Sequence, residues 1–109
     1  MHELAITQSI VEAVLECAGS ASVRRVVVEI GKLSAVVPDA VRFCFDLCCE
    51  GTPLAGAELV IVETPGVGRC ADCDAKVALD GPLGRCGCGS THVEWLSGHE
   101  LRIREMEVV

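Results

Sequence analysis

Apolar residues recur along this chain with two different periods. Between residues 3 and 18, Ile6, Ile10, Val14 and Cys17 form one row at helical spacing, flanked by Val11, Leu15 and Ala18. Glu3 adds negative charge where a helix begins, and Gly19-Ser20 ends the run. Residues 23 to 33 alternate instead. Val26, Val28 and Ile30 take one face, and Arg25, Val27 and Glu29 the other, which predicts a strand. Helical spacing returns after Pro38, which suits a first helical turn beside Asp39. The apolar row there is Val41, Cys44, Phe45 and Cys48 with Leu47 adjacent, and Gly51 stands just past the end.

Residues 57 to 64 alternate again, with Leu59 and Ile61 facing away from Val60 and Val62, until Pro65-Gly66 breaks the run. Short apolar runs follow at Val77-Ala78-Leu79 and from Val93 to Leu96, separated by the turn chemistry of Asp80-Gly81-Pro82-Leu83-Gly84. Residues 100 to 109 predict a last strand. Its alternation slips, since Leu101 and Ile103 share a face while Met106 and Val108 take the other. A bulge or a change of environment near Arg104-Glu105 accounts for that. The expected architecture is α/β (α+β), with two helices on a three-stranded mixed sheet. A small domain of short β hairpins at 66–98 interrupts a main domain made of 1–65 plus 99–109.

The interruption carries the first candidate chemistry. Cys70-Ala71-Asp72-Cys73 and Cys86-Gly87-Cys88 form two close pairs, twelve residues apart. Zinc takes four thiolates tetrahedrally with no open position, and its binding energy folds segments too small to fold alone. A structural zinc on Cys70, Cys73, Cys86 and Cys88 is the leading reading. A redox dithiol, a disulfide or an accidental cluster are the others. The second pair has one intervening residue where two are usual. Gly87 and Gly89 tolerate the tighter turn, and His92 is the fallback ligand.

Composition narrows the function. The chain has 109 residues, eight of them cysteine, and a formal charge of -7. It has two Phe, one Trp and no Tyr, so base stacking has little to use. The charge argues against nucleic acid or an acidic membrane as the main partner and favours a cationic cargo or a basic patch. The first residues lack a basic segment before an apolar run, and no apolar run reaches a membrane span. Eight cysteines in such a chain indicate a reducing cytoplasm with metal-bound or free thiols. Cys17, Cys44, Cys48 and Cys49 read mainly as small core residues, with at least one of Cys48 and Cys49 facing outward.

A second metal site is available at the start of the chain. The amine of Met1, the amide nitrogen and imidazole of His2, and the amide nitrogen of Glu3 can close a plane of four nitrogens. Ni(II) and Cu(II) accept that geometry better than zinc does. Taken alone, a histidine at position 2 is more often a solvated terminal residue.

Several segments together carry a family resemblance. These are Met1-His2-Glu3-Leu4 entering a helix, Glu29-Ile30-Gly31, Phe43-Cys44-Phe45-Asp46-Leu47, Gly56-Ala57, the cysteine pairs ending in Cys88-Gly89-Ser90, and Gly98-His99-Glu100-Leu101-Arg102-Ile103. In this order, over nearly the whole chain, they resemble the HypA/HybF family of nickel-insertion accessory proteins for [NiFe]-hydrogenase maturation. The resemblance implies a non-catalytic nickel metallochaperone. Nickel would be cargo on Met1, His2 and Glu3, and zinc structural on Cys70, Cys73, Cys86 and Cys88. The implied partners are the GTPase HypB, with the first helix as its contact, and the hydrogenase large-subunit precursor. A monomer and a homodimer both remain open. The family has two residues inside its second cysteine pair. With Cys88 in register, its first cysteine falls at Arg85 unless one residue is deleted; deletion keeps Cys86 as the ligand. His92 or His99 would be available to add a ligand to nickel or couple the two zones. The alternative is a zinc-ribbon interaction adaptor without nickel delivery. No Ser-His-Asp or phosphate-loop pattern supports an enzyme.

Overall fold

The computed structural model describes residues 3–79 and 84–109. Met1 and His2 of the N-terminal metal reading lie outside them, as does most of the turn expected at 80–84. The elements, in order, are α1 (Glu3–Ala18), β1 (Val23–Gly31), α2 (Pro38–Cys49), β2 (Glu58–Thr64), β3 (Gly66–Cys70), β4 (Lys76–Leu79), β5 (Val93–Ser97) and β6 (Leu101–Val108). They form a mixed α+β structure with two three-stranded sheets, ordered β2-β1-β6 and β4-β3-β5. The chain divides into two compact units. One comprises Met1–Glu29, Val36–Val62 and Arg102–Val109; the other comprises Ile30–Ala35 and Glu63–Leu101.

In the first unit, α1 and α2 pack against each other. The apolar stripe of α1 is centred on Thr7, Ile10, Val11 and Val14. Ile6 is only half-buried and Cys17 is exposed, contrary to the expected row. At about 100° per residue both point some 80–100° away from Thr7, which puts them on the stripe's edge. Thr7 can occupy the centre because its hydroxyl donates to the Glu3 carbonyl at 2.6 Å, leaving no polar group unsatisfied. The core row of α2 is likewise rotated from the expected one, to Val41, Phe45 and Cys49 at successive four-residue steps. Phe43 and Leu47 face out at 62% and 54% exposure, and Cys44 and Cys48 are half-buried. Of the four cysteines read as core residues, only Cys49 is one.

α2 begins at Pro38 after Val37, a residue with no capping side chain. The Glu3 carboxylate, from the first turn of α1, accepts the Val37 N–H at 3.3 Å. A negative charge at that point also complements the helix dipole. The start of α1 is thereby tied to the start of α2.

β1 is buried at Val26 and Val28, both 0% exposed, as its alternation predicts. Val27, on the opposite face, is buried as well. β6 runs antiparallel to β1. Arg24 pairs with Glu107, Glu29 pairs with Arg102, and the Val109 N–H donates to the Ser22 carbonyl. β2 runs with β1: Val23 donates to Pro53 near their starts and Lys32 to Thr64 at their ends. The sheet is therefore mixed. In β6 only Ile103 and Met106 are half-buried. They stand three residues apart, on opposite faces, which is the slip visible in the sequence.

The second unit contains a strand the sequence pattern hides. β3 starts at Gly66, directly after β2, and is the centre of its sheet. It pairs antiparallel with β4, Gly66 opposite Leu79 and Arg69 opposite Lys76. On its other edge it pairs antiparallel with β5, Cys70 opposite Val93. The two apolar runs expected here, now β4 and β5, therefore pair with β3 from either side and not with each other as a hairpin. In the same unit Gly31 meets Gly98: a Cβ on Gly31 would fall inside the Gly98 carbonyl. Leu33 N–H donates to that carbonyl at 2.6 Å, so the close approach belongs to the chain pairing.

Truncation separates core from surface on α2. Phe45→Ala should cost about 3–5 kcal/mol, whereas Phe43→Ala should stay within about 0.5 kcal/mol. Urea unfolding followed by helical circular dichroism measures both. Equal losses would contradict the rotated core row.

Candidate metal centre

β3 delivers the first of the four cysteines. Cys70 is its last residue and is 1% exposed. The chain then turns through 71–75 into β4. Asp74 N–H donates to the Cys70 carbonyl at 2.8 Å and Cys70 N–H to the Ala75 carbonyl at 2.9 Å. Asp74 takes φ +61, the left-handed conformation the turn requires. The second turn repeats this construction. Gly89 N–H donates to the Cys86 carbonyl at 2.9 Å, Cys86 N–H donates to the Ser90 carbonyl at 3.0 Å, and Gly89 sits at φ +93. Gly87 is not in the left-handed region. The short pair therefore draws on one of the two glycines for its turn.

β5 follows the second turn and pairs with β3 beside Cys70, so both turns lie at one end of the sheet. The result is a cluster of Cys70, Cys73, Cys86 and Cys88 with all four sulfurs within 4.8 Å of one another. The nearest pairs join opposite turns: Cys70 Sγ to Cys88 Sγ at 3.7 Å, and Cys73 Sγ to Cys86 Sγ at 3.5 Å. A tetrahedral ion with bonds of about 2.3 Å has sulfur–sulfur edges of about 3.8 Å. The cluster thus fits zinc, despite the single residue between Cys86 and Cys88. All eight cysteines are free thiols. Because the shortest approaches cross between turns, neither close sequence pair is arranged as a dithiol of its own.

The electrostatics of the cluster call for a cation. The Cys73 backbone N–H, more than any other influence, pulls the Cys70 thiol down to about 6, against the effect of burial. Cys73 moves the other way. The Ala75 N–H favours its thiolate, but the surrounding thiols of Cys86, Cys70 and Cys88 outweigh it and push it up to about 12. Cys88 is raised similarly: the Ser90 N–H favours its thiolate, and the Cys86 and Cys70 thiols oppose it. One thiolate is stabilised at neutral pH and its neighbours resist ionising beside it. A bound divalent ion removes that conflict. The remaining cysteines behave differently. Burial, then Cys48 and Asp46, pushes Cys49 up to about 11. Burial and then Cys44 also raise Cys48.

His92, the fallback ligand, has a different partner. Its Nδ1 lies 3.4 Å from Asp72 Oδ2, and its side chain is 77% exposed. His99 is exposed too. Ser90 is a contributor that the sequence reading missed: its hydroxyl donates to Asp72 and accepts the His92 N–H at 3.0 Å. A serine two residues beyond a ligand carries no spacing signal of its own. Among the described residues, no helix is long and apolar enough to cross a membrane.

Comparison with known proteins agrees with this architecture. The family described as "HypA: Hydrogenase/urease nickel incorporation, metallochaperone, hypA" matches residues 1–108. A "Hydrogenase maturation factor HypA" of Trichormus variabilis is 56% identical over 108 residues, covering 99% of this chain and 96% of its own. One from Geotalea uraniireducens is 50% identical over 109 residues, with 99% of each chain covered. Among solved structures, the "Ni metallochaperone HypA from Helicobacter pylori" superposes with a TM-score of 0.68 at 28% identity, covering 100% of this chain and 98% of that one.

The thiol energetics give a test. Metal uptake requires deprotonated ligands. A Cys70 thiolate with a value of about 6 is already ionised at pH 7.5. Zinc binding at that pH should then release fewer than four protons, as measured by calorimetry in buffers of different ionisation enthalpy. The count should rise towards four as the pH falls below 6. Four protons released at pH 7.5 would contradict the depressed Cys70.

Proposed function

The chain belongs to the HypA family, and on that premise we propose that it binds Ni(II) at its N-terminus and delivers it to the [NiFe]-hydrogenase large-subunit precursor. Nickel is cargo, held by the Met1 amine, the His2 amide and imidazole, and the Glu3 amide. Zinc is structural, held by Cys70, Cys73, Cys86 and Cys88. Nickel handling belongs to 1–65 plus 99–109 and zinc binding to 66–98. HypB is the assisting GTPase, and the work is done in the cytoplasm without catalysis by this chain.

The observation that carries the reading is the family match, which begins at residue 1 and so takes in Met1-His2-Glu3. The local structure supports it. α1 starts at Glu3, and a helix does not spend the amide hydrogens of its first turn on its own ladder. Metal binding there breaks no helical hydrogen bond. The Glu3 carboxylate also holds the helix start beside Val37. The two sites differ in ligand chemistry: thiolates suit zinc, and a plane of nitrogens suits Ni(II). Every nickel ligand competes with protons, so the cargo is released more readily as pH falls.

Adding Gly-Ser ahead of Met1 removes the terminal amine from chelation. Nickel affinity should fall at least about 100-fold, roughly 2.7 kcal/mol, with zinc content unchanged. Nickel titration of the extended and unextended proteins measures this. Equal affinities would defeat the N-terminal site and favour an adaptor role.

A further inference from the structure

The two cysteine turns are joined outside the thiol cluster. Asp72 lies between Cys70 and Cys73 on the first turn, and Ser90 lies two residues beyond Cys88 on the second. The Ser90 hydroxyl donates to Asp72 Oδ2. The same hydroxyl accepts from His92 N–H at 3.0 Å, and the His92 carbonyl accepts from Ala71 N–H at 2.8 Å. His92 Nδ1 adds a contact with Asp72 Oδ2 at 3.4 Å. Ser90 and His92 from the return segment therefore meet Ala71 and Asp72 from the first turn in one closed set of contacts.

We propose that Asp72 and Ser90 form a clasp that holds the second cysteine turn on the first and sets how long zinc stays in the site. The inference rests on reading the four thiols as the zinc site. The shortened second turn is what makes the clasp necessary. With one residue between Cys86 and Cys88, that turn has little freedom of its own to adjust the two sulfurs. Their placement depends on where the segment after Cys88 is anchored, and Ser90 is the first side chain in that segment to reach the other turn. Groups outside a ligand set that orient the ligands typically change metal affinity by about 10–100-fold when removed.

A carboxylate beside a four-thiolate zinc gives the idea a sharp sign. Zinc with four thiolates carries surplus negative charge, so Asp72 repels the site electrostatically. If charge dominated, removing Asp72 would lengthen the zinc lifetime. If the clasp dominates, removing it shortens that lifetime.

The test loads the full chain with zinc in reducing buffer and follows transfer of zinc to excess chromophoric chelator. Wild type, Ser90→Ala, Ser90→Thr, Asp72→Ala and the Asp72→Ala/Ser90→Ala double variant are compared. Ser90→Ala and Asp72→Ala should each release zinc about 10-fold faster. The double variant should be no faster than either single one, because both remove the same link. Ser90→Thr keeps the hydroxyl and should stay within about twofold of wild type. A Ser90→Ala protein that takes up no zinc while Ser90→Thr takes up a full equivalent also supports the clasp. Release from Ser90→Ala at the wild-type rate, slower release from Asp72→Ala, additive single effects, or loss of uptake in both serine variants would overturn it. Wild-type protein that fails to retain one zinc per chain would overturn the zinc reading itself, which separates the two failures.

Discussion

Four cysteine sulfurs within 4.8 Å of one another are the constraint on which the unit around them depends. The cluster stabilises one thiolate, at Cys70, while making further ionisation at Cys73 and Cys88 costly. A bound divalent cation relieves that cost by favouring thiolates at all four positions. The surrounding architecture explains how the sulfurs reach that state. A central strand ends on Cys70, its two neighbours flank it, and two turns of nearly the same hydrogen-bond pattern present the pairs. A small sheet with little apolar core gains from such a staple, since metal binding free energy becomes folding free energy.

The helix–sheet unit relies on apolar burial. Val14, Val26, Val28, Val41, Phe45 and Leu54 are almost completely removed from solvent. With so few aromatics, most of this core is aliphatic, and Phe45 is its largest member. The tie between Glu3 and Val37 adds a polar constraint to the helix layer. It makes the register of α1 relative to α2 matter at Glu3, the last of the proposed nickel ligands.

Much of this was legible in the residues. Period places α1, β1, α2 and β2, because each repeats long enough to show it, although β1 also buries Val27 on its second face and β2 is half-buried on both. Cysteine spacing located the thiol cluster, and the shortened Cys86–Cys88 pair still contributes both its sulfurs. The failures have physical causes. β3 escapes the pattern because Val67 is the one strand-forming side chain in Gly66-Val67-Gly68, too few to show an alternation. A Cβ on Gly66 would run into the Leu79 carbonyl, and one on Gly68 would strike Val93. Glycine there serves close strand approach, which periodicity cannot reveal. The core rows of both helices were rotated by counting cysteine as apolar, although Cys17 is exposed and Cys44 and Cys48 are only half-buried. Thr7 gives no apolar signal, because its burial depends on a hydroxyl bond to its own helix. Ser90 and Asp72 meet only through folding, and nothing in their spacing announces it.

The central claim is that one chain keeps two metals apart by offering each a different ligand chemistry. X-ray absorption at the zinc and nickel edges of the doubly loaded protein tests it most directly. The zinc edge should show four sulfurs at about 2.3 Å and no nitrogen, and the nickel edge should show nitrogen or oxygen neighbours only. Sulfur around nickel, or a histidine nitrogen on zinc, would contradict the account.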